Sequence, residues 1–348
     1  MFLCPVIYTP VLNPAQTFEF QKKISQSKKI AICTHYNPDG DAIGTSLALR
    51  AYLTSQGFEV NCVIPNNMPD FLQWLPGADT IINAQKQFKD IKTIIKEADI
   101  LFLVDMNAEH RSGVDVEKLL LETNAYKVLI DHHPNPTAQC NLIYSIPETS
   151  SSCEVLYRFL TEITTQPFLN QEIGICIYTG IITDTGSLSF GCNDPETYKL
   201  LTKLMELGIN GEEVHRNLYD NYSESRIRLL GLSLNSLKVF PELQTSYMYL
   251  TKEEMKSSGF KEGDTEGFVN YGISLKGIIF TAFFTEKDKK IRISFRSKGD
   301  FDVNRFAQTY FQGGGHKNAA AAYYHDTLEN AIKYFVDVIH NYQELNNF

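Results

Sequence analysis

Four short stretches together supply the carboxylates and imidazoles that a divalent-metal site needs. The densest is His35-Tyr36-Asn37-Pro38-Asp39-Gly40-Asp41, where one imidazole and two carboxylates share a turn tightened by Pro38 and Gly40. Groups so close repel and desolvate badly unless a cation sits among them. The alternative is a helix cap, with Asp39 or Asp41 closing the first turn of the following helix. Asp105 ends the run ILFLV, where a lone Asp can also serve as a turn residue. Asp131-His132-His133 ends YKVLI, and histidines there can also simply face solvent. Asp184 closes an apolar run before Thr185 and Gly186, a position that also suits a helix end. Together these pieces offer only carboxylate and imidazole ligands, enough for two ions. Such a hard set suits manganese or magnesium better than zinc or an iron–sulfur cluster. Two ions about 3.5–4 Å apart clamp an in-line phosphoryl displacement and generate its nucleophile.

A parallel sheet would position these groups. KIAICTH (29–35), EVNCVIP (59–65), ILFLVDM (100–106) and YKVLIDH (126–132) read as buried strands, apolar nearly throughout. A helix over 41–56, ending at Gly57, separates the first two. Strands alternating with helices imply a parallel sheet covered on both faces, with ligands beyond the carboxyl ends of its strands. The first three acidic clusters fall at such ends, and Asp184 could fold back to them. Further helices are expected over 13–24, 150–164, 171–182 and 194–207. A long amphipathic segment over 212–237 would bridge to a second domain. The predicted organisation is a catalytic domain over 1–238, a linker over 239–245 and a smaller α/β domain over 246–348. The latter would hold a strand at 246–251, a hairpin over 277–298 with EKDKK at its turn, and a helix over 302–310. A glycine run at 313–315 and a helix over 327–341 would complete it.

The bulk properties narrow the class. At 348 residues the chain exceeds one typical core. Its net charge of −9 argues against holding long DNA or RNA by the backbone and favours a small ligand. Seven cysteines, an odd number with no CxxC pair, argue against a disulfide framework or a cysteine zinc site and fit a reducing cytoplasm. No run of 18 apolar residues predicts a membrane span. The opening MFLCPVIYTPVLNP lacks a basic start and carries prolines, so it reads as a docked lead-in rather than a signal peptide.

HYNPDGD, the strand-end Asp105, the Asp131-His132-His133 triplet and the Asp of TDTG resemble the four motifs of the DHH phosphoesterase family. Gly313-Gly314-Gly315-His316 resembles the GGGH signature of that family's associated C-terminal domain. The likeness covers nearly the whole chain and is greatest to the NrnA type, which acts as an oligoribonuclease and a pAp phosphatase. EGFVNY (266–271), LYDNYSE (218–224) and SFRS (294–297) also look like that type. The resemblance implies one manganese held by His35, Asp39 and Asp105. It implies a second held by Asp41, Asp105, His132 and Asp184, with Asp105 bridging. It makes Asp131 the residue that orients a histidine, and His133 the group facing the scissile phosphate. One departure is Ser187, where many relatives are expected to carry Arg.

In the C-terminal part, Gly313, Gly314 and Gly315 would let backbone amides approach a phosphate, His316 would add a donor, and Arg296 a fork for two phosphate oxygens. A flexible connector and a solvated strand end are the plainer alternatives. The expected site lies in an interdomain cleft and takes short substrates: RNA fragments of a few nucleotides, dinucleotides and pAp. A soluble cyclic-dinucleotide phosphodiesterase and a non-catalytic nucleotide- or metal-binding module are the competing readings. A homodimer is a further expectation. His110, His215, His325 and His340 have no partner pattern. Ser151, Ser152 and Glu154 read as a helix cap. Arg111 suits either a phosphate or a helix-start ion pair. Tyr178, Phe190, Tyr219 and Tyr222 suit a core better than a base-stacking platform.

Overall fold

The computed structural model describes residues 11–288 and 290–342. Most of the expected lead-in, and Lys289 of the hairpin turn, lie outside these. The chain divides into two compact units between Asn221 and Tyr222.

In the first unit the elements follow as α1 (Pro14–Ser25), β1 (Lys29–Cys33), α2 (Gly40–Ser55), β2 (Glu59–Ile64), β3 (Ile82–Asn83), α3 (Ala84–Glu97), β4 (Ile100–Val104), α4 (Val114–Glu122), β5 (Tyr126–Asp131), β6 (Leu142–Ser145), α5 (Ser152–Ile163), α6 (Gln171–Asp184), α7 (Pro195–Glu206) and α8 (Gly211–Tyr219). The sheet runs β3-β2-β1-β4-β5-β6 with every pair parallel. Both faces are covered, as the strands' continuous apolar runs require. Ile30, Ile32, Phe102, Val104, Val128 and Ile130 pack one way, with Phe20 and Phe159. Ala31, Cys33, Leu101, Leu103 and Leu129 pack the other way, on Ile91, Ile95, Val116 and Leu120 of α3 and α4. The winding direction reverses between β1 and β4, so the segments leaving those strands part and open a crevice at their carboxyl ends.

Three glycines set how closely α2 and α6 approach. A Cβ on Gly44 would stand 2.5 Å from the Cys176 carbonyl oxygen, and one on Gly40 2.3 Å from Thr183 Oγ1. One on Gly180 would stand 2.2 Å from Cys153 Sγ and 2.7 Å from Asp41 Oδ1. A side chain at Gly44 would displace backbone, one at Gly40 the Thr183 side chain, and one at Gly180 the side chains of Cys153 and Asp41.

The segment over 212–237 is not one helix. It breaks at Asp220, and α9 (Glu224–Asn235) begins afresh with Ser223 as its N-cap. The reason is local polar competition: Ser223 and Ser225 both donate to Asp264, at 3.1 and 2.9 Å, and Arg226 stacks 4.3 Å from the Tyr222 ring. Thus α9 opens the second unit.

That unit continues with β7 (Lys238–Phe240), β8 (Thr245–Leu250), α10 (Lys252–Ser257), α11 (Val269–Ile273), β9 (Phe280–Lys287), β10 (Lys290–Ser297), α12 (Val303–Phe311), β11 (Gly314–His316), β12 (Ala319–Tyr324) and α13 (Leu328–Asn341). Its sheet runs β11-β12-β10-β9-β8-β7 and is mixed, since β8 and β9 pair in parallel. Phe280, Phe284, Phe295, Phe306 and Phe335 fill one side with α12 and α13. Met248, Leu250 and Phe283 pack on Leu229 and Phe268 on the other. The residues 239–245 expected as linker hold the end of β7 and the turn into β8. Strands β3, β6, β7, β11 and β12 were not expected from the sequence.

Candidate metal centre

The clusters converge where the winding of the first sheet reverses. Past β1 the chain turns through Asn37, whose φ is +57°. His35 places Nδ1 3.0 Å from the Tyr36 carbonyl oxygen. That turns Nε2 toward Asp105 Oδ2 at 3.4 Å and Asp39 Oδ2 at 3.9 Å. Asp39 is also the N-cap of α2, its Oδ1 accepting from the Asp41 and Ala42 amides at 3.1 Å each. The cap and ligand readings are therefore compatible, one per carboxylate oxygen.

Asp105 leaves β4 with φ +56°, a conformation rarely adopted by a non-glycine residue, and is buried. Strain of that sort persists where surrounding contacts over-determine it. Its amide donates to the Ile130 carbonyl at 3.0 Å. Its Oδ2 faces His35, whereas its Oδ1 stands 3.7 Å from His132 Nε2 and accepts from Ser152 Oγ at 2.9 Å. His132 Nε2 also lies 3.8 Å from Asp41 Oδ2 and 3.4 Å from Asp184 Oδ2. Asp184 is the last residue of α6, carried there by the glycine contacts with α2. Asp131 and His133 behave differently. Asp131 Oδ1 is 2.8 Å from His133 Nδ1 and its Oδ2 accepts the His133 amide at 3.1 Å, so Asp131 orients that ring.

His35, Asp39 and Asp105 form one group whose ligand atoms all lie within 4.8 Å of one another, and Asp41, His132 and Asp184 form another. Asp105, Asp131 and His133 meet the same test, but the short Asp131–His133 contact marks a hydrogen-bonded dyad. The electrostatics test whether divalent cations fit. Burial, and then the charges of Asp105 and Asp184, push the Asp41 carboxyl well above its ordinary range. Burial and Asp105 push Asp131 up to about 7. For Asp105 burial acts upward too, but the hydrogen bond with His35 and the charges of His133, His35 and His132 outweigh it, leaving its carboxyl below the usual range. For His35 burial acts downward, yet Asp105 and Asp39 prevail and its pKa is raised. Carboxylates this crowded are the surroundings that divalent cations relieve. The Nδ1 contact of His35 with a carbonyl is the bond that a metal-ligating histidine makes with its other nitrogen. The residues fit hard divalent cations.

Two compact regions of the sequence match known domain types: residues 29–181 the DHH family N-terminal domain, and residues 244–344 the DHHA1 domain. The chain belongs to the DHH family. A crystal structure of an exopolyphosphatase-related protein from Bacteroides fragilis is similar to it at 37% identity with a TM-score of 0.93, covering 98% of this chain and 100% of that one. An uncharacterized protein of Mycoplasma genitalium, MG371, is 28% identical, over 89% of this chain and 91% of its own. The bifunctional oligoribonuclease and PAP phosphatase NrnA of Bacillus subtilis is 26% identical, over 87% and 92%. DHH-family homologues of this chain are phosphoesterases.

In the second unit, register brings the DHHA1-domain candidates onto one face. Arg296 pairs with Ala319, and Ala319 pairs with His316, so both side chains flank one small residue on the same side of the sheet. The glycines answer to the sheet more than to an open amide nest. A Cβ on Gly313 would lie 2.3 Å from the Ala321 carbonyl oxygen, and one on Gly315 2.3 Å from that of Ala319. The Gly313 amide donates to Ala307 and the Gly315 amide to Asn304 Oδ1.

Sequence reasoning missed Ser152, which was read only as part of a cap. The signal was present in the run Ser150-Ser151-Ser152-Cys153, because a single cap leaves two of its hydroxyls unexplained. Ser151 is the cap of α5; Ser152 bonds Asp105. Ser187 sits within three successive left-handed residues, Gly186, Ser187 and Leu188. Among the described residues no helix is long and apolar enough to cross a membrane.

Proposed function

We propose that the chain is a two-metal phosphoesterase, manganese-loaded with magnesium as the possible substitute, that cleaves short oligoribonucleotides to mononucleotides and pAp to AMP. One observation carries this reading: the Asp105 carboxylate turns one oxygen to His35 and the other to His132, between two His/Asp groups. In it, His35, Asp39 and Asp105 hold one ion, and Asp41, Asp105, His132 and Asp184 the other. Two bound divalent cations supply Lewis-acid polarisation and charge neutralisation for an in-line phosphoryl displacement. The chain's own residues do the rest. Asp131 holds His133 by Nδ1, so the ring would meet the substrate through Nε2, donating to a phosphate oxygen or to the departing ribose oxygen. Arg296 and His316 would take a second phosphate, such as the 5′ end of a dinucleotide or the other phosphate of pAp. The net charge of −9 supports short substrates over long nucleic acid. The scattered cysteines fit a cytoplasmic setting.

The test is product release from pAp, a 5′-phosphorylated dinucleotide, a long RNA and a cyclic dinucleotide, each with manganese, for the wild type and Asp105→Ala. Turnover of the first two, absent in the variant, is expected. Preferential cleavage of the cyclic substrate would move the assignment to cyclic-dinucleotide turnover. Activity surviving in the variant would remove the metal cluster as the engine. No cleavage at all would leave a binding module.

A further inference from the structure

The start of α5 does more than begin a helix. Both oxygens of Asp41 point at it: the Ser152 amide donates to Oδ2 at 2.6 Å and the Cys153 amide to Oδ1 at 2.9 Å. The Ser152 hydroxyl turns to a different carboxylate, donating to Asp105 Oδ1 at 2.9 Å. Ser152 is fully buried, and Asp41 and Asp105 nearly so. These bonds therefore form in a region of low dielectric, where a hydrogen bond to a charged group is strong and an unmet one costly.

Every one of these bonds ends on the same half of the cluster. Asp41 belongs to the His132 and Asp184 group, and Oδ1 is the Asp105 oxygen that faces His132. The oxygen facing His35 receives nothing from α5 in these contacts. The Ser152 hydroxyl thus fixes the rotation of the shared carboxylate, and with it which oxygen is presented to which group.

A buried network holds the serine in place. Glu154 Oε2 accepts from Ser150 Oγ at 2.6 Å and from Thr197 Oγ1 at 2.8 Å. Arg158 joins Glu154 at 2.5 Å to Asp194, the N-cap of α7, at 2.9 Å. The turn before α5 is thereby tied to the helix after α6. The turn reaches the ligands through Ser152 and Cys153.

We infer that Ser152 is a positioning residue that sets up the second cation site (Asp41, Asp105, His132 and Asp184) selectively, by aligning the shared Asp105 carboxylate. This rests on the two-metal reading above. Residues one step behind metal ligands typically change affinity by about 10–100-fold when removed.

The test is calorimetric titration of metal-free protein with manganese, together with its electron paramagnetic resonance at two equivalents. In the wild type two binding events and a spin-coupled pair signal are expected. In Ser152→Ala one event should weaken by about 10–100-fold while the other holds, and the signal should become that of a single ion. Ser152→Thr, which keeps the hydroxyl, should restore the pair. Ser46→Ala is the control, since that buried hydroxyl bonds the Ala42 carbonyl, at 2.7 Å, within its own helix α2. If Ser152→Ala does not fold, the same comparison is read between Ser152→Thr and its isostere Ser152→Val. Unchanged titration in the hydroxyl-free variant overturns the inference. So does an equal loss at both sites accompanied by the fall in thermal stability that Ser46→Ala shows. A wild type that binds no manganese removes the two-metal reading itself, and the inference falls with it.

Discussion

The two units of this chain build functional groups onto a sheet in opposite ways. In the first, the groups stand at the ends of parallel strands and of the helices beside them, two of the turns carry a positive φ, and most of the groups are buried. In the second, Arg296 and His316 stand on a sheet face, on either side of one small residue, and both are part-buried. The first arrangement concentrates charge in a low dielectric, where position decides everything. The second spreads donors over a surface, where each group contributes more separately. Damage to the first should be all-or-none, and damage to the second graded.

The sharpest way to break this comparison is Gly180→Ala. The new methyl would meet Cys153 Sγ and Asp41 Oδ1, pushing α6, and Asp184 with it, away from α2. Overpacking of this kind costs about 1–3 kcal/mol. A ligand displaced by about 1 Å can cost on the order of 100-fold in rate. Turnover should therefore fall by at least that factor while the protein stays folded, measured as kcat beside a thermal melt. A variant with wild-type turnover would show that Asp184 does not depend on the helix contact.

Arg296→Ala is the matching test in the second unit. A hydrogen bond to a charged group is worth about 1.5–3 kcal/mol, so KM for a 5′-phosphorylated dinucleotide should rise by about 10–100-fold. Arg296→Lys should recover only part, since an ammonium cannot offer the planar fork. Manganese affinity should not move in either variant. A loss of manganese binding would mean that the two regions are not energetically separate.

The first arrangement was the more legible in the sequence, for a physical reason. Ligands at the ends of strands and of α6 are contiguous with apolar runs, so that HYNPDGD, Asp105, the triplet at 131–133 and Asp184 each announce themselves locally. The parallel sheet followed from the same runs. Contacts made by small residues were not legible. Gly44 and Gly180 look like weak points of their helices until the helices are seen to touch. Ser152 looks like a cap because its partner lies 47 residues away. Ala319–Tyr324 forms a strand although alanine favours helices, because it is paired on both sides, with β10 and with β11. The 212–237 segment misled because its apolar periodicity continues across Asp220–Ser223, where side-chain bonds to Asp264 win.

The smallest expected effect tests how finely the second region is tuned. Asn304 in α12 accepts the Gly315 amide at 2.9 Å, next to His316. The bond is exposed, so its loss in Asn304→Ala should cost at most about 1 kcal/mol of stability. Gly315 is held at φ +155°, and His316 follows it directly. Loosening that residue should spread the orientations open to His316 rather than remove it. KM for the dinucleotide should then rise only a few-fold, with kcat and manganese affinity unchanged. A fall in kcat as large as that from Gly180→Ala would show that the glycine strand belongs to the all-or-none part of the molecule. No change in KM at all would assign Asn304 to the sheet edge and leave Arg296 as the dominant donor of that face.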